Sequence, residues 1–299
     1  MHISLSRGNV RAEIDTVAAA LRSLTVDGVA LTEPRRDDGL PPFCNGIVLA
    51  PWPNRVRDAR WTLDGAVQQL DITEPARGGA LHGLLEFTDY ELFTRSDETV
   101  TLGAFIAPQH GWPFSLETGV TYALESDGIR VTHSVRNVGS TRAPYAVGTH
   151  PFLRVGGTPV EQLTLTAPVA TYFEVDDRLN PTAESPVTPE VDLRSGRTVG
   201  ELRLDTAYGT MTHAEGGASA WLESPEGART TLWQDADWGY LQVFTTQIFP
   251  RPEGLGTAVA VEPMTAPPDA LNSGQGLVWI EPDGAWEGSW GLRYTAPVG

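Results

Sequence analysis

Asp-Gly pairs at Asp27-Gly28, Asp64-Gly65 and Asp127-Gly128 each fall between alternating or apolar segments. Both residues of such a pair tolerate positive φ, which tight hairpin turns demand, so each pair predicts two adjacent antiparallel strands. After the last of them, Ile129, Val131, His133 and Val135 alternate with Arg130, Thr132, Ser134 and Arg136. That period of two places one set of side chains on a buried sheet face. His133 belongs to the apolar set, where a histidine satisfied inside the core is expected rather than a ligand. The 31 glycines and 23 prolines are spread along the chain, so they cut it into many short segments without marking one linker. No fixed-period repeat or low-complexity stretch stands out. Helical signals are thin: residues 15–21, with Ala18-Ala19-Ala20, read as a short helix or as the loop between the first two strands. Many strands, scattered turns and no alternating helices predict an all-β fold, a large antiparallel β-sandwich. At 299 residues the chain can bury a large core, and length alone leaves one or two domains open.

Charge narrows the partners. The chain carries 38 acidic against 21 basic residues, a formal net charge of −17, and no basic run exceeds the pair Arg35-Arg36. Such a chain repels polyanions, which argues against nucleic acid and anionic membrane surfaces as partners. A phosphorylated substrate is disfavoured more weakly, because a few arginines can still converge on one pocket. Residues 1–7 lack the apolar core of a signal peptide and no apolar run approaches membrane-spanning length, so the expectation is a soluble, unexported, cytoplasmic protein. Cys44 is the only cysteine, which excludes an internal disulfide and a cysteine-rich zinc site. A small, buried or partly buried packing residue is expected there rather than a reactive thiol.

A few polar residues sit where chemistry would use them. Val259-Ala260-Val261-Glu262 puts a carboxylate at the end of an apolar strand-like run, just before a proline-rich turn. A strand end delivers a side chain rigidly and partial burial raises a carboxyl pKa, which suits a general base; the plain alternative is the first solvated residue after the strand. His82 lies in Gly78-Gly79-Ala80-Leu81-His82-Gly83, where the glycines let the backbone turn sharply and the imidazole need not be covered by neighbouring side chains. His150, in Gly148-Thr149-His150-Pro151-Phe152-Leu153, is biased to an extended conformation by the following proline. Arg55 ends the stiff loop Pro51-Trp52-Pro53-Asn54-Arg55, and Asp205 opens the semi-apolar run Asp205-Thr206-Ala207-Tyr208. Taken singly, the histidines read as structural turn residues and Arg55 and Asp205 as members of surface ion pairs. The nine tryptophans read mainly as packing, with a sugar face as one use for an exposed ring.

In their order along the chain, Pro-x-Pro-Asn-Arg, Leu-His-Gly, Thr-His-Pro-Phe, Leu-Asp-Thr-Ala and Val-Glu-Pro-x-Thr-x-Pro-Pro-Asp-Ala-x-Asn resemble the successive motifs of the aldose 1-epimerase (mutarotase) family, and Leu241–Gln247 resembles the strand preceding its base. The resemblance runs from about Ile14 to the strand around residues 290–294. It implies a galactose mutarotase-like sandwich, one domain over residues 1–299, with a cleft for a free aldose and no metal or redox cofactor. It also implies a monomer or homodimer. Position by position, Glu262 matches the general base that takes the proton of the anomeric hydroxyl and His150 the general acid at the ring oxygen. His82 and Arg55 match groups that hydrogen-bond sugar oxygens, and Asp205 a carboxylate that grips ring hydroxyls. Trp238, Phe244 and Phe249 are candidates for an aromatic platform. Thr-His-Pro-Phe and Trp-Pro-Asn-Arg depart from the galactose mutarotases, which carry Asn-His-Ser-Tyr and Ala-Asn-Arg, and are more like a bacterial aldose epimerase-like subgroup. Galactose as substrate therefore does not carry over. Two other readings stay open: a hexose-6-phosphate mutarotase of the same fold, which needs several cations at the cleft, and a non-catalytic carbohydrate-binding or sensing protein, which has no need of both Glu262 and His150.

Overall fold

The structure, a computed structural model, describes residues 1–34, 39–211 and 218–297, so the Arg35-Arg36 pair lies outside the described residues. Strands dominate it, and the one α-helix among the described residues is the single turn Ala270–Ser273. Two large sheets carry the architecture. A nine-stranded sheet runs in the order Glu91–Arg95, Thr99–Ile106, Leu116–Leu124, Gly128–Asn137, Ala285–Thr295, Arg229–Gln234, Ala218–Glu223, Thr164–Thr166, Arg197–Thr198. An eight-stranded sheet runs Pro181–Pro186, Val169–Val175, Asp205–Met211, Tyr240–Arg251, Gly254–Met264, Gly148–Thr149, Val48–Leu49, with Phe152–Leu153 added beside Gly254–Met264. A four-stranded meander, His2–Arg7, Val10–Asp15, Leu21–Val26 and Val29–Ala30, accompanies them. The strand pairings are antiparallel throughout these sheets, the all-β sandwich class that the turn pattern predicts.

The Asp-Gly pairs lie where hairpins close. Asp27 and Gly28 (φ 51° and 78°) join Leu21–Val26 to Val29–Ala30, and Asp64 and Gly65 (φ 48° and 81°) join Arg60–Leu63 to Ala66–Gln69. Asp127-Gly128 also separates paired strands, but through a longer loop in which the Glu125 amide donates to the Gly128 carbonyl at 2.9 Å. Residues 15–21 are neither a helix nor the first connection. They form the turn between the second and third strands, with Ala18 and Ala19 at φ 56° and 45°, outside the helical region, and all three alanines buried. Their small side chains suit a turn pressed into the core, so helix propensity yields to packing there.

Period-two patterning decides what faces where. Ile129, Val131, His133 and Val135 are all buried on one face of the nine-stranded sheet. His133 accepts a hydrogen bond from Trp290 Nε1 at 3.2 Å and lies beside the Trp238 ring, the satisfied core histidine expected from the alternation. In the eight-stranded sheet, Gln242 pairs with Glu262, Phe244 with Ala260, and Asp205 with Phe244. Residues paired across an antiparallel ladder share a face, so Asp205, Gln242, Phe244 and Glu262 emerge together. Val259 and Val261 point the other way into the main core, while Ala258 and Ala260 lie on the opposite face, packed with Phe152 and Phe249.

Candidate active site

Above that face two loops bring the remaining polar groups. The short strands Arg55–Val56 and Ala80–Leu81 pair with each other, and the His82 amide donates to the Asn54 carbonyl at 2.8 Å, so Arg55 and His82 arrive side by side. Asn54 and His82 both hold positive φ, 56° and 58°. Gly83 at φ 83° cannot be replaced without a clash, since a Cβ there would sit 2.1 Å from the Ala50 carbonyl oxygen. This close approach is the physical reason for a glycine after the histidine. His150 follows Gly148–Thr149, which is held between Val48–Leu49 and Gly254–Met264; its amide donates to Ile47 O at 3.1 Å and its carbonyl accepts from the Gly46 amide at 2.8 Å. Its ring stacks on Phe152, centroids 5.4 Å apart at 26°.

The five residues singled out from the sequence, Arg55, His82, His150, Asp205 and Glu262, line one small cavity of about 130 Å³ together with Phe43, Cys44, Asn54, Gln242 and Phe244. His150 Nε2 lies 3.3 Å from Glu262 Oε1, and the His82 and His150 rings meet edge to face at 5.6 Å. Arg55 donates through Nε and Nη2 to Glu74 at 2.7 and 3.1 Å. Gln242 Nε2 donates to Asp205 Oδ1 at 2.7 Å and Gln242 Oε1 accepts from Asn54 Nδ2 at 3.3 Å, fixing the aspartate through a short amide chain. A larger cavity of about 400 Å³ over Trp286 and Arg136 brings no orphaned buried polar atoms together, so size does not locate the chemistry.

Burial makes these groups costly. Glu262 is 2% exposed and His82 and His150 are each 6% exposed, yet Glu262 Oε2, His82 Nδ1 and His150 Nδ1 have no hydrogen-bond partner among the described residues. A buried polar atom without a partner costs about 1–3 kcal/mol, which a stability-optimised core would not retain three times over in one place. Burial pushes the Glu262 carboxyl well above its ordinary pKa, the negative charge of Asp205 adds to the rise, and Arg55 opposes it. Burial lowers His150 to about 4 and takes His82 well below its ordinary value, with His150 and Arg55 contributing to the latter. Asp205 is raised by burial against the pull of Arg55. Burial thus disfavours charge on both Glu262 and His150, while Glu262 Oε1 and His150 Nε2 lie within reach of a shared proton. Such a pair can take a proton at one end while giving one at the other.

Several neighbours were not legible as site residues. Glu74, Asn54, Gln242 and Phe43 shape the cleft, and of these only Asn54 and Gln242 fell inside motifs. Phe43 is 36% exposed at φ 50° in a short 3-10 turn, and its ring lies 5.9 Å from that of Phe244. Of the three aromatic candidates, Phe244 lines the cleft, Phe249 is packed behind Phe152 at 4.8 Å, and Trp238 is buried against His133 in the main core away from it. The Pro-Pro-Asp-Ala-x-Asn run does not reach the cleft. Its Asp269 amide donates to the Arg55 carbonyl at 2.7 Å, and its carboxylate accepts from the Arg57 amide at 2.9 Å and from Asn272 Nδ2 at 2.7 Å, so the run braces the arginine loop from outside. Cys44 is half-buried with Sγ 3.3 Å from Glu86 Oε1; burial and that carboxylate push its thiol pKa up, which suppresses the reactive thiolate.

Comparison with known proteins agrees with the fold. The family model for aldose 1-epimerase matches residues 1–293. An uncharacterized protein of Escherichia coli K12, YihR, is 34% identical over 290 residues, covering 93% of this chain and 88% of its own. Among solved structures, the GalM/aldose epimerase homologue from C. elegans superposes with a TM-score of 0.86 at 18% identity, covering 100% of this chain and 99% of that one. Galactose 1-epimerase from Lactobacillus acidophilus NCFM does so with a TM-score of 0.82 at 15% identity, covering 99% and 95%. At those identities the two structures speak to the fold alone, whereas the family model spans almost every residue. The chain belongs to the aldose 1-epimerase family.

Proposed function

We propose that the protein is a cofactor-independent aldose 1-epimerase that interconverts the α and β anomers of an unphosphorylated aldose, acting as one domain over residues 1–299. The observation that carries this reading is the buried Glu262–His150 pair, 3.3 Å apart, with one oxygen of Glu262 left without a hydrogen-bond partner among the described residues. The anomeric oxygen and the ring oxygen are both bonded to C1, so a base serving one and an acid serving the other must lie within a few ångströms of each other. With the shared proton passed to His150, the Glu262 carboxylate takes the proton of the C1 hydroxyl while His150 Nε2 gives its proton to the ring oxygen, and the bond between C1 and the ring oxygen breaks. The open aldehyde turns about C1–C2. On reclosure His150 recovers the proton from the ring hydroxyl and Glu262 returns one to the former carbonyl oxygen, so the pair starts and ends with one proton. Arg55 and His82 hydrogen-bond the oxygens around C1, and Asp205, pinned by Gln242, holds ring hydroxyls.

The hexose-6-phosphate alternative finds little support, because among the described residues Arg55 is the sole cationic side chain lining the cleft and its Nε and Nη2 are occupied by Glu74. A binding protein would have no use for two desolvated titratable groups held in contact with each other. The test is NMR exchange between α and β anomers for a panel of free hexoses and pentoses, with and without a chelator. Faster exchange than buffer for at least one sugar, unchanged by chelator, is expected. No acceleration for any of them would overturn the enzymatic reading in favour of binding.

A further inference from the structure

Arg55 is gripped from behind the cleft by a residue that does not itself line the cavity. Glu74 accepts from Arg55 Nε at 2.7 Å and Nη2 at 3.1 Å, a two-pronged contact that fixes the guanidinium plane, and also forms an ion pair with Arg77, whose Nε lies 3.1 Å from Glu74 Oε1. Arg55 Nη1 has only a long 3.5 Å contact to Asn54 Oδ1, which leaves it for the cleft. The backbone of Glu74 is engaged as well. Its carbonyl accepts from the Arg77 and Gly78 amides at 3.1 and 2.9 Å, and its amide donates to the Gly79 carbonyl at 3.1 Å, closing the turn that leads into Ala80–Leu81 and His82. One residue thus sets the guanidinium plane by its side chain and the approach of His82 by its main chain.

Resting on the epimerase reading above, we infer that Glu74 is a positioning residue of the site: its carboxylate aims Arg55 at the sugar and offsets the positive charge that Arg55 would otherwise impose on the Glu262–His150 pair. The titratable groups facing Glu262 are His150, His82, Arg55, Asp205 and Cys44. Burial holds both histidines neutral, so Arg55 is the one cation among them at neutral pH. An uncompensated guanidinium beside Glu262 would favour the carboxylate and let the pair lose its shared proton at lower pH. With Glu74 in place that charge is largely neutralised and the pair keeps its proton.

Glu74→Gln keeps size and hydrogen-bonding capacity while removing the charge. In that variant the pH at which the ligand-free protein gives up the Glu262 proton, followed by NMR of ¹³C-labelled glutamate carboxyls with Glu262→Gln used to identify the resonance, should fall by about one unit. The alkaline limb of the anomer-exchange profile should move with it, and KM should rise several-fold. Glu74→Asp keeps the charge but shortens its reach, so its limb should stay where the wild-type limb is while KM rises. A folded Glu74→Gln protein whose Glu262 titration is unmoved would overturn the charge role, and a Glu74→Asp enzyme with wild-type KM would overturn the aiming role. The carboxyl titration needs no turnover. A wild-type protein inactive on every aldose would therefore count against the epimerase reading while the titration still decides this one.

Discussion

His133 and His150 are the same residue type, both almost fully buried and both on or beside strands, yet they sit in opposite circumstances. His133 lies within the main core at 1% exposure, where its Nε2 accepts from Trp290 Nε1 at 3.2 Å and burial lowers its pKa to about 3. His150, at 6% exposure, faces a carboxylate at 3.3 Å and leaves Nδ1 without a hydrogen-bond partner among the described residues. The first arrangement satisfies a buried polar group with one neighbour and asks nothing further of it. The second keeps two titratable groups dehydrated in contact and leaves part of each unsatisfied. Burial alone therefore does not distinguish the two histidines; what each ring touches, and what it lacks, does.

Substitutions can break that comparison. The largest effect is expected at Glu262→Gln, which preserves shape but removes the ability to take a proton: the anomer-exchange rate should drop roughly 10²–10⁴-fold, about 3–5 kcal/mol of barrier, while sugar affinity measured by calorimetry stays close to wild type. A rate within about threefold of wild type in the folded variant would remove Glu262 from the role of base. Next, His150→Asn should lower kcat more than it weakens binding, whereas His82→Asn should affect both. Equal and negligible effects for the two would return both histidines to the role of turn residues. The smallest catalytic effect belongs to the core partner. His133→Ala leaves the Trp290 indole without an acceptor and opens a small void, so denaturant unfolding should show a loss of about 1–3 kcal/mol with kcat per folded molecule unchanged. Should kcat fall with His133→Ala while stability holds, the distinction between the two histidines would be gone.

The sequence carried much of this, unevenly. Hairpins at Asp27-Gly28 and Asp64-Gly65 were legible because a two-residue turn is a local demand that few residue pairs meet. The alternation that buries His133 was equally local. Arg55, His82, His150, Asp205 and Glu262 were legible as a group only because their motifs occur in one family's order, since nothing nearby in the chain says that positions so far apart converge. Glu74 was invisible: its meaning lies in a salt bridge to Arg55 across a turn, and no motif marks it. Phe43 and Gln242 were missed as site residues because an aromatic in a loop and an amide in a strand each have commonplace explanations. The alanines at 18–20 misled in the opposite direction, their helix propensity being overridden by burial in a tight turn.

The idea on which everything above depends is a single proton shared by Glu262 and His150, and the pH dependence of kcat/KM for anomer exchange tests it most directly. As pH falls toward about 4, His150 gains a proton while Glu262, raised by burial, still holds one, so no base remains and the rate should fall. As pH rises through the elevated Glu262 value, the pair loses its only proton, no acid remains, and the rate should fall again. The expected profile, after subtraction of the buffer-catalysed rate, is a bell whose limbs belong to the pair rather than to either residue. A kcat/KM that stays flat across that range, or climbs steadily with pH, would contradict the shared-proton mechanism.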